Sequence, residues 1–315
     1  MQAVDCPLCA SARHRFVYER RDHTHHVTGT YFRVVRCRDC GMVFVNPRPG
    51  PGEIDAFYPE EFYEAQIAPA QLLRDKGGAL QARARLLQEL TPGRLLDVGC
   101  QKGEFMQWMK QRGWDVRGVE ISRKAPNLFG LPIFYGRLED AGFAQRSFDA
   151  VTAWAVLEHV HDPVGMLRQL ARVLRPDGRA FVLVPNFRSL PARFMRHDDV
   201  PRHLVMFTPR TLARAADAAG LQVERTVFSD DIFSGSTRGV LNFLVKRACG
   251  ESYDDILSQN RSPAQWHRFA ASLNGEPSRL MAWVDALDTR CTPALDALMR
   301  RIRCSFIMTA ELACR

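Results

Sequence analysis

Arg94-Leu95-Leu96-Asp97-Val98-Gly99-Cys100-Gln101-Lys102-Gly103-Glu104-Phe105 is the stretch on which the reading of the whole chain turns. A short apolar run ends in an acid, a glycine-punctuated turn follows, and apolar residues then recur at helical spacing through Phe105, Met106 and Met109. That order predicts strand, tight loop, helix. Gly99 and Gly103 would let the main chain pass close to a ligand with no Cβ in the way, and the helix after them offers free N–H groups at its start. A second predicted strand, Trp114 to Val119, ends in Glu120. An acid roughly 20 residues beyond such a turn is placed to accept hydrogen bonds from both ribose hydroxyls, and it disfavours a ribose 2′-phosphate. Glycines alone would mark only a turn; with Asp97 and Glu120 the stretch reads as a cradle for a nucleoside-type cofactor.

The 315 residues suffice for a full α/β core with one or two small appendages. A hydrophobic share of 46% with 25% charged residues excludes a disordered chain. No apolar run reaches the roughly 18 residues of a membrane span. Asp5 and Cys6 stand where a signal peptide would carry its apolar core, so a cytoplasmic protein is expected. The net charge of +8 suits an anionic substrate, a nucleic acid or an acidic lipid surface. The arginines are scattered and not massed in one block, which points to a solvated basic surface.

Four of the nine cysteines form two Cys-x-x-Cys pairs, Cys6/Cys9 and Cys37/Cys40. They bracket two alternating segments, Arg15 to Tyr18 and Tyr31 to Arg36, that read as hairpin strands. Knuckles at the ends of such strands place four thiolates around a tetrahedral ion, which suits Zn²⁺ in a closed, structural site. Cys100, Cys249, Cys291, Cys304 and Cys314 read as small hydrophobes. Beyond a Pro/Gly-rich linker, Phe57-Tyr58-Pro59-Glu60-Glu61-Phe62-Tyr63 is either a clamp over the core or a lid on a site. A helix from about Pro69 to Leu90 then leads into the first strand of the core.

Further strands are expected at Pro132 to Gly136, Phe148 to Trp154, Arg179 to Pro185 and Leu221 to Phe228, with the last at Ser305 to Ala310. Asp162-Pro163 and Thr208-Pro209 start helices between them. Alternating strand and helix specify a parallel, doubly wound, Rossmann-like α/β sheet. Between Asp231 and Cys304 three helices are expected: one after Ser262-Pro263 with Trp266, Phe269, Ala270 and Leu273 on a face, one after Pro277, and one after Thr292-Pro293. They serve as packing or as a substrate cap.

Leu96 to Phe105 resembles motif I of the class I S-adenosylmethionine (SAM) dependent methyltransferases, with Gln101 where that family's acidic-x-Gly-x-Gly-x-Gly pattern has its middle glycine. Residues 6 to 228 resemble the subgroup with an N-terminal zinc ribbon. Its marks are Cys37 to Gly41, Asn46-Pro47-Arg48-Pro49, Leu157-Glu158-His159 with Asp162-Pro163, Leu174 to Gly178, and Arg202-His203-Leu204 with Phe207-Thr208-Pro209. The resemblance implies a seven-stranded sheet with an antiparallel last strand, SAM as cofactor, and methyl transfer. The expected layout is a zinc ribbon (1–50), a linker and lid (51–92), a SAM-binding core (93–230), a helical insertion (231–304) and the last strand (305–315). The cofactor is expected against Asp97, Gly99, Cys100, Gln101, Gly103, Phe105, Glu120, Ile121, Leu138, Glu139 and Trp154. The zinc ligands are Cys6, Cys9, Cys37 and Cys40.

Methyl transfer is an in-line displacement, so the protein must align the acceptor and supply a base where a proton has to leave. The loop from Asn186 to Phe207 should face the reacting centre. It makes His203 the leading general base or acceptor-binding group, with Asp198 or Asp199 to orient it, and His159 the competitor. A small-molecule acceptor in a biosynthetic pathway is the favoured reading. The alternatives are an RNA methyltransferase and a non-catalytic, zinc-stabilised binding protein with a degenerate SAM pocket.

Overall fold

The computed structural model describes residues 1–59, 68–190, 192, 199–229, 231–232, 237–251, 256 and 279–315. The chain begins with an antiparallel ribbon of β1 (His14–Arg20), β2 (Phe32–Cys37) and β3 (Val43–Val45). The two Cys-x-x-Cys turns close its base. After the linker, α1 (Pro69–Asp75) and α2 (Gly77–Leu86) take the place of the single interrupted helix expected from the sequence. Glu60 to Tyr63, in the aromatic-acidic stretch, lie outside the described residues.

The core follows as β4 (Arg94–Val98), α3 (Glu104–Lys110), β5 (Asp115–Glu120), β6 (Ile133–Tyr135), β7 (Phe148–Trp154), α4 (Pro163–Val173), β8 (Leu174–Pro185), β9 (Val205–Met206), α5 (Pro209–Ala218), β10 (Leu221–Phe228), α6 (Val240–Ala248), α7 (Arg279–Arg301) and β11 (Ile307–Cys314). Seven strands form one sheet in the order β10-β11-β8-β7-β4-β5-β6. The five from β8 to β6 are parallel, and β11 inserts antiparallel between β10 and β8. Central strands are covered on both faces, which is why Ala180, Phe181, Val182, Leu183 and Val184 form an unbroken buried apolar run with no alternation.

Helix starts follow their side chains. Asp162 accepts from the Gly165 amide at 2.8 Å, with Pro163 at the first helical position of α4. At α5, Thr208 and Thr211 form a reciprocal capping box.

The structure corrects two expectations. Arg279 to Arg301 is one 23-residue helix that runs through Pro293, where the sequence suggested two helices. A proline removes one backbone hydrogen bond, and α6 packing along α7 offsets that loss: Asp288 of α7 caps α6 through the Gly239 and Leu241 amides. The helix expected to carry Trp266, Phe269, Ala270 and Leu273 lies outside the described residues. The other correction concerns β9, which pairs antiparallel with β3. A two-residue strand carries no sequence period, so the stretch from Asn186 to Phe207 reads as loop. Through β9 the ribbon becomes a four-stranded sheet, β1-β2-β3-β9, with its last strand drawn from the core. Cys37, Cys40, Met42 and Phe44 accordingly share one apolar cluster with Val182, Phe207 and Leu212.

Thr208→Val keeps the shape of the α5 cap and removes its oxygen. It should lower unfolding free energy by about 0.5–2 kcal/mol, read by urea denaturation; an unchanged midpoint would show that the capping box contributes nothing.

Candidate active site

At the carboxyl ends of the parallel strands the chain turns sharply after β4. Gly99 has φ +71°, and a Cβ there would lie 2.4 Å from Val156 Cγ2. Any other residue would push the turn after β7 away from the turn after β4. Gln101 takes the place of a glycine with φ 47°, a left-handed conformation that costs a non-glycine residue about 1–2 kcal/mol. Its side chain is exposed, and its amide donates to Glu120 Oε2 at 2.9 Å. The Ser122 amide donates to the other oxygen, also at 2.9 Å. Glu120 is therefore oriented by main-chain donors from both turns, and burial pushes its carboxyl up.

Beneath the turn, Asp97 is 2% exposed and accepts from Thr152 Oγ1 at 2.7 Å. Burial pushes its carboxyl up to about 7, against the pull of the Thr152 hydroxyl and the Arg83 guanidinium. Arg83 of α2 is itself buried, 5.5 Å over the Trp154 ring, and desolvation pulls it down although Asp97 and Glu104 favour its charge. Nothing in the sequence distinguishes Arg83 from its neighbour Arg85, so this cation was not legible there. Trp154 Nε1 and Glu104 Oε2 are buried and hydrogen-bond to nothing among the described residues. Orphaned polar atoms beside a cradle too tight for a Cβ suit a site completed by a bound polar ligand.

The remaining expected cofactor residues scatter around this centre. Cys100 is buried against Gly118, where a Cβ would meet its sulfur at 2.7 Å. Gly103 ends the turn at φ +83°. Phe105 and Trp154 meet edge to face with centroids 5.2 Å apart. Ile121 is exposed, Leu138 is buried with Val119, and Glu139 pairs with Arg137 at 3.6 Å on the surface.

Val156 leads directly into a short 3-10 turn, Leu157–His159, and a second group of side chains. Ligand atoms of Glu158, His159 and His203 all lie within 4.8 Å of one another. The two imidazoles meet edge to face at 4.7 Å. Glu158 and His203 line a pocket whose other walls are Pro185, Phe187, Ala192, Val205 and Met206. Glu158 is 1% exposed, neither carboxyl oxygen has a hydrogen-bond partner among the described residues, and burial pushes it up to about 8. The sequence marks Glu158 only as part of Leu157-Glu158-His159, because nothing local shows that this acid is buried.

Hydrogen bonds give the two rings opposite tautomers. His203 Nδ1 accepts from the Asp199 amide at 3.2 Å, which leaves the ring proton on Nε2. His159 Nδ1 faces the Arg202 carbonyl at 3.1 Å, so it carries the proton and leaves the Nε2 lone pair open. Tyr58 Oη lies 3.0 Å from the same Nδ1, which brings the aromatic stretch onto this group. Asp199 lies beside the rings; burial alone would raise it, but hydrogen bonds from Arg202 hold it below the usual carboxylate range. Asp198 lies outside the described residues.

At the ribbon's base the Cys6 and Cys40 sulfurs are 3.4 Å apart and those of Cys9 and Cys37 3.6 Å, with all four sulfurs within 4.8 Å of one another.

A doubly wound sheet with an acid-anchored turn after its first strand defines a site of the nucleoside-cofactor type. Comparison with known proteins specifies which. A methyltransferase-domain family model matches residues 72–226. The ubiquinone biosynthesis O-methyltransferase of Aeromonas salmonicida is 31% identical over 181 residues, covering 50% of this chain and 71% of that protein. Its counterpart in Neisseria meningitidis is 27% identical over 201 residues, covering 52% and 84%. Among solved structures, the 1,6-didemethyltoxoflavin-N1-methyltransferase of Burkholderia thailandensis is 20% identical, covers 61% of this chain and 89% of that one, and superposes with a TM-score of 0.45. The chain belongs to the SAM-dependent methyltransferases. No helix among the described residues is long and apolar enough to cross a membrane.

Asp97 ordinarily titrates near 3.8 and in the fold near 7. The folded state thus holds the proton more tightly, and the stability this lends is full below the unfolded value and lost as pH rises to about 7. Asp97→Asn should remove that slope, on the order of 4 kcal/mol. Urea unfolding of both proteins at about pH 5 and about pH 8 checks it, and equal slopes would contradict the assignment.

Proposed function

We propose that the protein methylates a hydroxyl on a small, largely apolar, ring-containing acceptor. The observation that carries this reading is Glu158: a buried carboxyl that meets no hydrogen-bond partner among the described residues and lines a small pocket whose walls, His203 apart, are otherwise apolar. Such a pocket accepts an apolar body and has a use for one polar group at its end. The relatives named above are O-methyltransferases of ubiquinone biosynthesis, which supports oxygen as the atom methylated. The apolar pocket walls count against a nucleic-acid substrate.

Bound SAM supplies an electrophilic methyl on a sulfonium. Glu120, already turned by two amides, has lone pairs left for the ribose hydroxyls. The Arg83 guanidinium suits the methionine carboxylate, and the acids Asp97 and Glu104 suit its ammonium. On the acceptor side, Glu158 would take the hydroxyl proton onto a carboxylate oxygen as the acceptor oxygen bonds to the methyl carbon and the methyl–sulfur bond breaks, its electron pair leaving on the sulfur as a neutral thioether. A base titrating near 8 is poised for that task. His203 presents Nε2–H and orients the oxygen, so it acts as donor. His159, with its Nε2 lone pair directed the other way, is a second proton acceptor. The apolar walls exclude water from the reacting centre.

Zn²⁺ fits the four cysteines: tetrahedral thiolates at about 2.3 Å from the ion stand about 3.8 Å apart, close to the spacings in the ribbon. With all four positions taken, the ion is structural. Thiolate ligands persist in a reducing compartment, in keeping with a cytoplasmic enzyme.

Turnover of an alkylated catechol should rise with pH through about 8 as Glu158 loses its proton. Glu158→Gln should lower kcat at least about a hundredfold and abolish that rise, while the SAM affinity measured by calorimetry stays unchanged. Equal pH profiles would refute Glu158 as the base. Elemental analysis should find one zinc per chain, and stripping it with a chelator should lower the melting temperature. A chelator-insensitive transition would remove the metal's structural role.

A further inference from the structure

Among the described residues Arg202 is the largest fully buried side chain, at 0% exposed. Its guanidinium joins three separate parts of the chain. Nη1 and Nη2 donate to the two oxygens of Asp22 at 3.1 and 2.8 Å, Nε donates to Asp199 Oδ2 at 2.9 Å, and Nη1 also reaches the Phe57 carbonyl at 2.8 Å. Asp22 belongs to the loop between β1 and β2, far from the cofactor cradle in sequence, and its side chain is also 0% exposed. The same carboxylate accepts the amides of Thr24, His25 and Val27 at 3.0–3.1 Å, so the ribbon loop is wound around it.

The backbone of Arg202 and the residues around it hold the acceptor-side rings. The Arg202 carbonyl faces His159 Nδ1, and the His203 amide donates to the Asp199 carbonyl at 2.8 Å. The Leu204 amide donates to the Glu158 carbonyl at 2.8 Å. Replacing a buried ion pair by apolar residues of similar volume is often neutral or stabilising, so stability alone does not call for this one. A bidentate fork does confer geometry, because both its plane and its distance are set.

We propose that Asp22 of the ribbon is a positioning residue of the acceptor site, acting through Arg202 to set the ring orientations of His159 and His203. The four-cysteine lobe thereby helps set the geometry of that site through Arg202 as well as serving the fold. The inference rests on the reading that these rings face the acceptor.

The test uses the full-length, zinc-loaded protein with ¹⁵N-labelled histidine, and compares wild type, Asp22→Asn, and Glu19→Ala as a ribbon surface control. Long-range ¹⁵N–¹H spectra report the ring nitrogens, with His159→Gln and His203→Gln to assign them. In Asp22→Asn the ring signals of both histidines should shift, while zinc content stays at one per chain and SAM affinity stays within about twofold of wild type. Turnover of the alkylated catechol should fall at least about tenfold, chiefly in kcat/KM for the acceptor. Glu19→Ala should change none of these. Ring signals that superimpose on wild type overturn the proposal. So does a joint loss of zinc and SAM affinity, which would make Asp22 a merely structural residue. Should Asp22→Asn fail to fold, Asp22→Glu, which keeps the charge and displaces it by one methylene, is judged by the same spectra. If wild type methylates no catechol, the acceptor reading fails, and the ring spectra still decide the role of Asp22.

Discussion

A guanidinium withdrawn from water has to be met on every donor, and at Arg202 that requirement draws the molecule together. Asp22 comes from the ribbon, Phe57 from the linker and Asp199 from the acceptor side of the core. A buried charge left without such partners would cost several kcal/mol, so these segments are held in one arrangement. β9 strengthens the same junction, because two residues of the core complete the ribbon's sheet. The N-terminal lobe is thus continuous with the body of the enzyme: Cys6, Cys37 and Cys40 pack into the apolar cluster that also holds β8 and α5.

The cofactor cradle and the acceptor pocket meet at one contact. Gly99 touches Val156 so closely that no Cβ fits between them, and two residues beyond Val156 stands Glu158. One turn therefore meets the cradle through Val156 and the second pocket through Glu158. An in-line transfer needs its partners registered to within a fraction of an ångström.

The electrostatics differ on the two sides of that turn. Around Asp97, Arg83 and Glu104 charges compensate one another, and main-chain amides orient Glu120. Around Glu158 the pocket walls are largely apolar and no hydrogen-bond partner among the described residues meets the carboxyl, so burial, with the nearby Asp199 charge added, raises its proton affinity. Polar compensation suits the binding of a charged cofactor. Its lack suits proton transfer.

The chain's local patterns were enough to establish the strand–turn–helix of residues 94 to 105, the acid at Glu120, the cysteine knuckles and the caps at Asp162 and Thr208. Each of these depends on neighbours in sequence or on a backbone conformation that few residues tolerate. Local reasoning failed at Pro293, where α6 packing overrides a helix breaker, and at β9, too short to show a period. Arg83, Glu158 and the pairing of Asp22 with Arg202 were decided by tertiary structure alone. Whether a charged side chain is solvated or buried depends on what packs over it from distant parts of the chain, and no local pattern records that.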